Sequence, residues 1–340
     1  MKFSKTKSAL STSMAAIFLL AGCTPVAVNN EAKPATQRGA FFSKADEVDV
    51  SGKEAFAKAK KVAVPVFRVA FASEAGAKST AGGGLGGSGA TVHAKTKLIG
   101  ADDKNLQAIT DKAYANFIST LKANGYTVVD ASTITSQPEY QAIDSKPNGS
   151  LNDADDRRYF APTGQKLIMQ PGEGGALSGF AALAGNAPYK KLGEIAKKNG
   201  DVSLLDVTYH INYLNTEGDS GFFQMSANVE IGAGLSVAPG SKITLFSKDA
   251  LECVGYCPNT MPVAKLGQAV YSTEQFGELK DTTTDAERTG QYALAALATF
   301  AGVHKSSSWS FDLTVDPVKF ESVASKVIAQ TNEKLISAIK

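Results

Sequence analysis

Residues 61–72 read Lys61-Val62-Ala63-Val64-Pro65-Val66-Phe67-Arg68-Val69-Ala70-Phe71-Ala72, a β-favouring run that is apolar at odd and even positions alike. A strand with one wet face alternates apolar and polar residues. A strand with apolar residues on both faces must be covered on both, so this run predicts a central strand of a sheet layered by helices. Pro65 has no amide hydrogen to give to a ladder and belongs at a bulge or an edge.

Residues 73–103 follow. They contain the tract Gly82-Gly83-Gly84-Leu85-Gly86-Gly87-Ser88-Gly89, whose backbone entropy makes ordering costly, and they are expected to form a mobile loop insertion. Leu106, Ile109, Ala113, Phe117, Ile118 and Leu121 then recur at helical spacing, and Asn124-Gly125 supplies a stop. Tyr126-Thr127-Val128-Val129-Asp130 is a short strand, so the order is strand, helix, strand, which suggests a crossover unit.

A second excursion, rich in Gly, Pro, Asn and Asp, occupies residues near 144–187. Pro188 opens another helix with Leu192, Ile195 and Ala196 on one face, and Asn199-Gly200 closes it. Leu205, Val207, Tyr209, Ile211 and Tyr213 then alternate with Asp206, Thr208, His210 and Asn212. After a turn-rich loop at residues 215–221, Phe223, Met225, Ala227, Val229, Ile231, Ala233, Leu235 and Val237 alternate with polar or small residues, which predicts a long hairpin. Further strands are expected at residues 242–246 and 268–273, with a helix near residues 292–303. Asp316-Pro317 opens a final helix with Phe320, Val323, Val327, Ile328 and Leu335 inward. The fold class is α/β, a mixed β-sheet flanked by helices, with loop insertions.

The N-terminus carries a different signal. Lys2, Lys5 and Lys7 precede the apolar residues 14–21, a core of about eight residues that falls short of the roughly 20 needed for a spanning helix. Leu20-Ala21-Gly22-Cys23 resembles the lipobox of bacterial lipoproteins. That resemblance implies cleavage before Cys23, a diacylglyceryl group on its thiol, and a mature chain held in a membrane by its acyl chains, because one chain alone binds only marginally. The competing reading is an ordinary signal peptide followed by a stray Cys. Thr24 in place of Asp implies, by the same resemblance, the outer membrane of a Gram-negative cell, facing the periplasm, or the cell membrane of a Gram-positive one. Residues 1–22 thus read as a signal peptide, 23–45 as a lipidated polar tether with Pro25 and Pro34, and 46–340 as a single α/β domain.

The order of elements resembles the superfamily of the curli secretion channel lipoprotein and of the outer-membrane lipoproteins that activate peptidoglycan synthases. The similar stretches are KVAVPVF, ITDKAYANFISTLKANG leading into YTVVD, YKKLGEIAKKNGDVSLLDVTYHINYL, ITLFS and the closing helix. The resemblance implies an anticodon-binding-domain-like sheet, no catalysis, and work done by oligomerising or by docking on a partner. The Gly-rich insertion and the loop with Cys253 and Cys257 depart from that pattern.

Hydrophobic residues make up 43% of the chain and charged ones 20%, as in a folded body, and a net charge of +2 argues against a polyanionic partner. Lys58-Ala59-Lys60-Lys61 is the one basic block, which leaves nucleic acid unsupported. Cys253 and Cys257 bracket Val254-Gly255-Tyr256, and in an oxidising compartment a small-loop disulfide is the first reading. A metal reading lacks partners, since His93, His210 and His304 are distant in sequence. Gly82, Gly84 and Gly87 match the spacing of a dinucleotide loop but do not follow a strand directly or open a helix. Asp153, Asp155 and Asp156 lack the spacing of a calcium loop. No catalytic, cofactor-binding or metal residue is assigned, and the covalent lipid on Cys23 stands alone.

Tyr209, Tyr213, Phe222 and Phe223 mark the hairpin as a candidate membrane or subunit interface, since each arm exceeds the 9 to 11 residues of a spanning strand. Packing of its apolar face under helices requires the same alternation and is preferred. The expected function is a membrane-anchored, non-enzymatic binding or scaffold module of the cell envelope. The alternatives are an oligomeric outer-membrane secretion channel and, more weakly, a hydrolase. The expected partners are the membrane and an envelope protein or a second copy of the chain.

Overall fold

The computed structural model describes residues 26–37, 43–81, 90–152, 155–170, 188–219, 228–248, 261–301 and 305–340. In chain order the first half holds β1 (Ala27–Val28), β2 (Val48–Ser51), α1 (Lys53–Lys58), β3 (Lys61–Ala72), β4 (Glu74–Ala81), β5 (Ala90–Ile99), α2 (Asp103–Ala123), β6 (Thr127–Val128), α3 (Ser132–Thr135) and α4 (Pro138–Gln141). The second half holds β7 (Ser150–Asn152), β8 (Arg157–Phe160), α5 (Pro188–Lys198), β9 (Ser203–Asp219), β10 (Asn228–Val237), β11 (Lys242–Phe246), β12 (Val263–Leu266), β13 (Val270–Ser272), β14 (Gly277–Asp281), α6 (Asp285–Ala301), β15 (Lys305–Val315) and α7 (Pro317–Ala338).

β3 is buried from Val62 to Ala72 and lies inside a mixed sheet of order β2-β12-β11-β9-β3-β8-β7. It runs parallel to β9, and the register shifts between Ala63 and Val66, around the proline that cannot donate to the ladder. β6 pairs in parallel with the start of β3, so the strand, helix, strand crossover is present. β9 is long enough to serve two partners on one side, β11 along Leu204–Thr208 and β10 along Ile211–Asp219. The predicted long hairpin is therefore there, but residues 215–219, expected in its turn-rich loop, continue β9 because β10 offers them a ladder.

Helices cover both faces. On one, α2 presents Leu106, Ile109, Ala113, Phe117 and Leu121, and α7 presents Phe320, Val323, Val327, Ile328 and Leu335. The Phe67 ring there lies 5.7 Å from Phe117 and 5.6 Å from Tyr209. Asp102 caps α2 through the Asn105 amide, and Asp316 caps α7 by accepting from Val318 and Lys319. On the opposite face Ile134 of α3, Tyr140 of α4, and Leu192 and Ile195 of α5 pack on Ala63, Val66, Leu204 and Phe246.

Two expectations fail. Residues 73–103 were expected to be a mobile loop; the Gly-rich tract 82–89 lies outside the described residues, but on either side of it β4 and β5 pair from Glu74↔Lys97 to Ala81↔Ala90 and enter a second sheet of order β14-β15-β5-β4. What orders β5 is a parallel partner far down the chain, β15, whose Trp309, Phe311 and Leu313 face the shared core while Ser306, Ser308 and Thr314 face outward. The polar tether of residues 23–45 is also revised: from Val26 to Gln37 it lies on the fold, with Val26 and Ala32 buried. The helix expected near residues 292–303 begins earlier, at Asp285, and residues 150–160 of the second excursion form β7 and β8.

Candidate functional surfaces

The N-terminal arm is built into the sheet as a strap. β1 pairs in parallel with β10, Ala27 against Glu230 and Val28 against Ile231, and the Asn29 amide donates to the Ile231 carbonyl at 2.8 Å. The Asn29 side chain donates to Glu230 at 2.8 Å, and Asn215 donates to the Ala32 carbonyl at 3.2 Å. Gly232 is required here for space, because a Cβ on it would lie 2.1 Å from the Asn29 carbonyl oxygen. Gly267 admits the strap a second time, where a Cβ would meet the Asp46 carbonyl at 2.3 Å. Gln268 clasps the arm from both sides, accepting from the Gln37 amide at 3.0 Å and donating to the Ala45 carbonyl at 2.8 Å. β2 then closes the edge against β12, and Lys334 of α7 donates to Glu47 at 2.8 Å, holding that carboxyl below its ordinary range.

Tyr209 and Tyr213 do not line an exposed interface. Their rings are buried within the fold, the Tyr209 hydroxyl donating to Asn332 at 2.6 Å and that of Tyr213 to the Thr96 carbonyl at 2.8 Å. Burial pushes both phenols well above their ordinary range. Alternation alone could not separate this packing from lipid contact, because both need one apolar face. Cys23, Phe222, Phe223, Cys253 and Cys257 lie outside the described residues, as do residues 82–89, Asp153 and His304.

Sequence reasoning missed a buried ion pair. Arg68, embedded in the apolar run of β3, is 0% exposed and contacts Asp206 of β9 at 2.7 Å, while Gln170 donates to the other carboxylate oxygen at 2.6 Å. Next to it Tyr140 donates to the Pro65 carbonyl at 2.7 Å, satisfying the backbone at the bulge. The signal was available: a lone arginine in a run apolar on both faces needs a counter-charge, and Asp206 stands opposite Val66 in the neighbouring strand. The pair joins β3 to β9 in the interior of the sheet.

Asp155 and Asp156 hold the β7–β8 turn. Asp155 accepts from the Tyr159 hydroxyl at 2.6 Å, and the Asp156 carbonyl, with φ at +51°, accepts from the Ser73 amide and hydroxyl at 2.8 and 2.6 Å. His93 lies on β5 and His210 on β9. Among the described residues no group of three or more His, Cys, Asp and Glu side chains is placed to hold a metal, and no helix is long and apolar enough to cross a membrane.

The basic block does gather at one place. Lys58, Lys60, Lys61 and Lys248 line an open groove of about 640 Å³ at the beginning of β3 and β9, together with Glu54 and Asp201. Lys248 contacts Asp201 at 3.2 Å, and the Lys60 ammonium lies 6.0 Å from the Tyr126 ring. No protein-family model matches the chain, and no curated protein and no solved structure is significantly similar to it.

Proposed function

We propose that the chain is a lipid-anchored lipoprotein of the cell envelope whose mixed α/β body is a non-enzymatic binding module, related to the curli-channel and synthase-activator lipoproteins. One observation supports it above the rest. From Val26, three positions after Cys23, the described chain lies on the sheet and is bonded into it through β1 and β2, so the proposed anchor is close in sequence to a docked strap. The lysine-lined groove is the exposed recess on which an envelope protein with a complementary acidic face would dock.

Metabolic labelling with palmitate tests the anchor. The wild-type chain takes label and fractionates with membranes, whereas Cys23→Ser takes none and is released; label on Cys23→Ser sinks the reading. The channel alternative is separated by the native mass of the protein extracted in mild detergent. Rings would favour it, and a monomer favours the tethered module. The burial of Tyr209 and Tyr213 counts against the channel, because it removes that part of the hairpin from any bilayer.

A further inference from the structure

We propose that the outer edge of β14 pairs with the same edge of a second copy of the chain, antiparallel and centred on Leu279. This pairing needs neither the lipid anchor nor the groove. β14 ends the second sheet, joined among the described strands only to β15. The Asp316 amide donates to the Phe276 carbonyl at 2.9 Å and the Thr282 amide to the Ser310 carbonyl at 2.8 Å, which fixes the phase of that ladder. Along an antiparallel strand the residues bonded to one neighbour alternate with those that face the other side. Glu278 and Lys280 therefore turn their backbone groups to β15, and Gly277, Leu279 and Asp281 turn theirs to the free edge.

The edge is bounded at both ends. Phe276, fully buried, precedes it. Beyond Asp281, α6 takes over the margin of β15: Thr283 accepts from the Ser310 amide at 3.0 Å, and Gln291 accepts from the Ser308 amide at 3.2 Å. Leu279 packs on the core, which leaves Glu278 and Lys280 as the exposed side chains of the strand. Neither forms a hydrogen bond or an ion pair among the described residues, although Asp312 stands opposite Lys280 on β15.

These two charges make the edge complementary to itself in one register. With the two copies of Leu279 face to face, Gly277 meets Asp281, and every outward amide of each copy finds a carbonyl of the other. Glu278 then stands opposite Lys280 twice over, in the positions where side chains come closest, with Cα atoms about 4.5 Å apart. Sliding to the next bonded register in either direction puts Glu278 on Glu278 or Lys280 on Lys280, and like charges directly opposite repel. Lysines along an edge keep other strands away, whereas alternating opposite charges admit the same sequence reversed. The two-fold relation closes on itself, so it builds a pair and neither a ring nor a fibre. The 5 residues of β14 are far fewer than the roughly 20–30 a side of a stable interface, so the pair is weak and is best read by trapping.

Disulfide trapping tests the register. The full chain with Cys23→Ser, Cys253→Ala and Cys257→Ala has no thiol of its own, and either Glu278→Cys or Lys280→Cys is added to it. The opposed positions fall within the roughly 4.4–6.8 Å that a disulfide spans, whereas two copies of either position lie about 7–8 Å apart on the diagonal. Under mild oxidation an equal mixture of the two variants should yield several-fold more crosslinked dimer than either variant alone. Sedimentation of the concentrated Cys23→Ser chain tests the charges. Glu278→Lys and Lys280→Glu should each weaken pairing roughly tenfold or more, since both contacts become repulsive, and the two substitutions together should restore it. A mixture that crosslinks no better than its components, or single variants that sediment as the parent chain does, overturns the inference. So does a double variant as weak as the single ones.

Discussion

Replacing Asp206 by Ala leaves the Arg68 guanidinium in the middle of the sheet, 0% exposed and without the carboxylate now 2.7 Å away. An arginine buried this deeply cannot shed its charge, and β3 is covered along both faces, so the strand would have to part from its neighbours to hydrate it. Removing one member of a buried pair costs about 3–5 kcal/mol. Replacing both members by apolar residues of similar volume is neutral or gains up to about 1–4 kcal/mol. Asp206→Ala should therefore lose that 3–5 kcal/mol, whereas Arg68→Met with Asp206→Leu should recover most of it. Urea unfolding of the Cys23→Ser chain, followed by circular dichroism, reads both from the midpoint at constant slope. In a chain of this size the single variant should melt roughly 6–10 °C lower, taking about 2 °C per kcal/mol from the lower end of the usual range. A single variant within about 1 kcal/mol of wild type, or a double variant no more stable than the single one, would refute the claim that the pair is dry and mutually compensating.

High pH should unfold the protein through its tyrosines. Burial raises the phenols of Tyr114, Tyr126, Tyr140, Tyr209 and Tyr213 above the ordinary value of 10.0, so the folded state keeps protons that the unfolded chain releases there. Stability from these groups is complete below pH ~10 and is lost as pH rises beyond it; absorbance at 295 nm should show them ionising only together with loss of circular dichroism. Smooth independent ionisation near pH 10 would contradict their burial. Asp102→Ala, which removes the acceptor of the Asn105 amide at 2.9 Å, should cost about 1 kcal/mol, with Asp102→Ser restoring most of it in the same urea assay. On the denatured, oxidised mature protein Cys253 and Cys257 should not react with a thiol reagent until reductant is added; two reactive thiols would refute the bridge.

How much was legible depended on how local the physics was. α2 and α7 were readable because cap, periodic apolar face and inward packing all lie within one segment: Asp316-Pro317 and Phe320 to Leu335 state the helix without its partners. β3 and the β9–β10 hairpin were readable by period and by the lack of it. β5 was not, although His93 to Ile99 alternates in burial, because its ordering partner is β15, where Ser306↔Thr91 and Leu313↔Leu98 meet across two hundred residues. β15 was missed for the reciprocal reason, since a Ser-rich segment has little strand propensity until an edge is offered to it. The strap was the hardest case. Thr24 to Arg38 is polar and aperiodic, and nothing in it records that Gly232 and Gly267, far downstream, leave room for its carbonyls.

That last point bears on what an anchor can do. A long polar linker leaves a tethered domain free to tumble over a hemisphere set by its length, and the membrane then acts only by raising local concentration. Here the described chain is bonded to the sheet from Ala27 on, so under the proposed lipid anchor each hydrogen bond of the strap would remove orientations rather than merely shorten a leash. Under that proposal the cost of restricting the body's orientation would be met when the strap folds, not when a partner binds, which is the way preorganisation raises affinity without adding a contact.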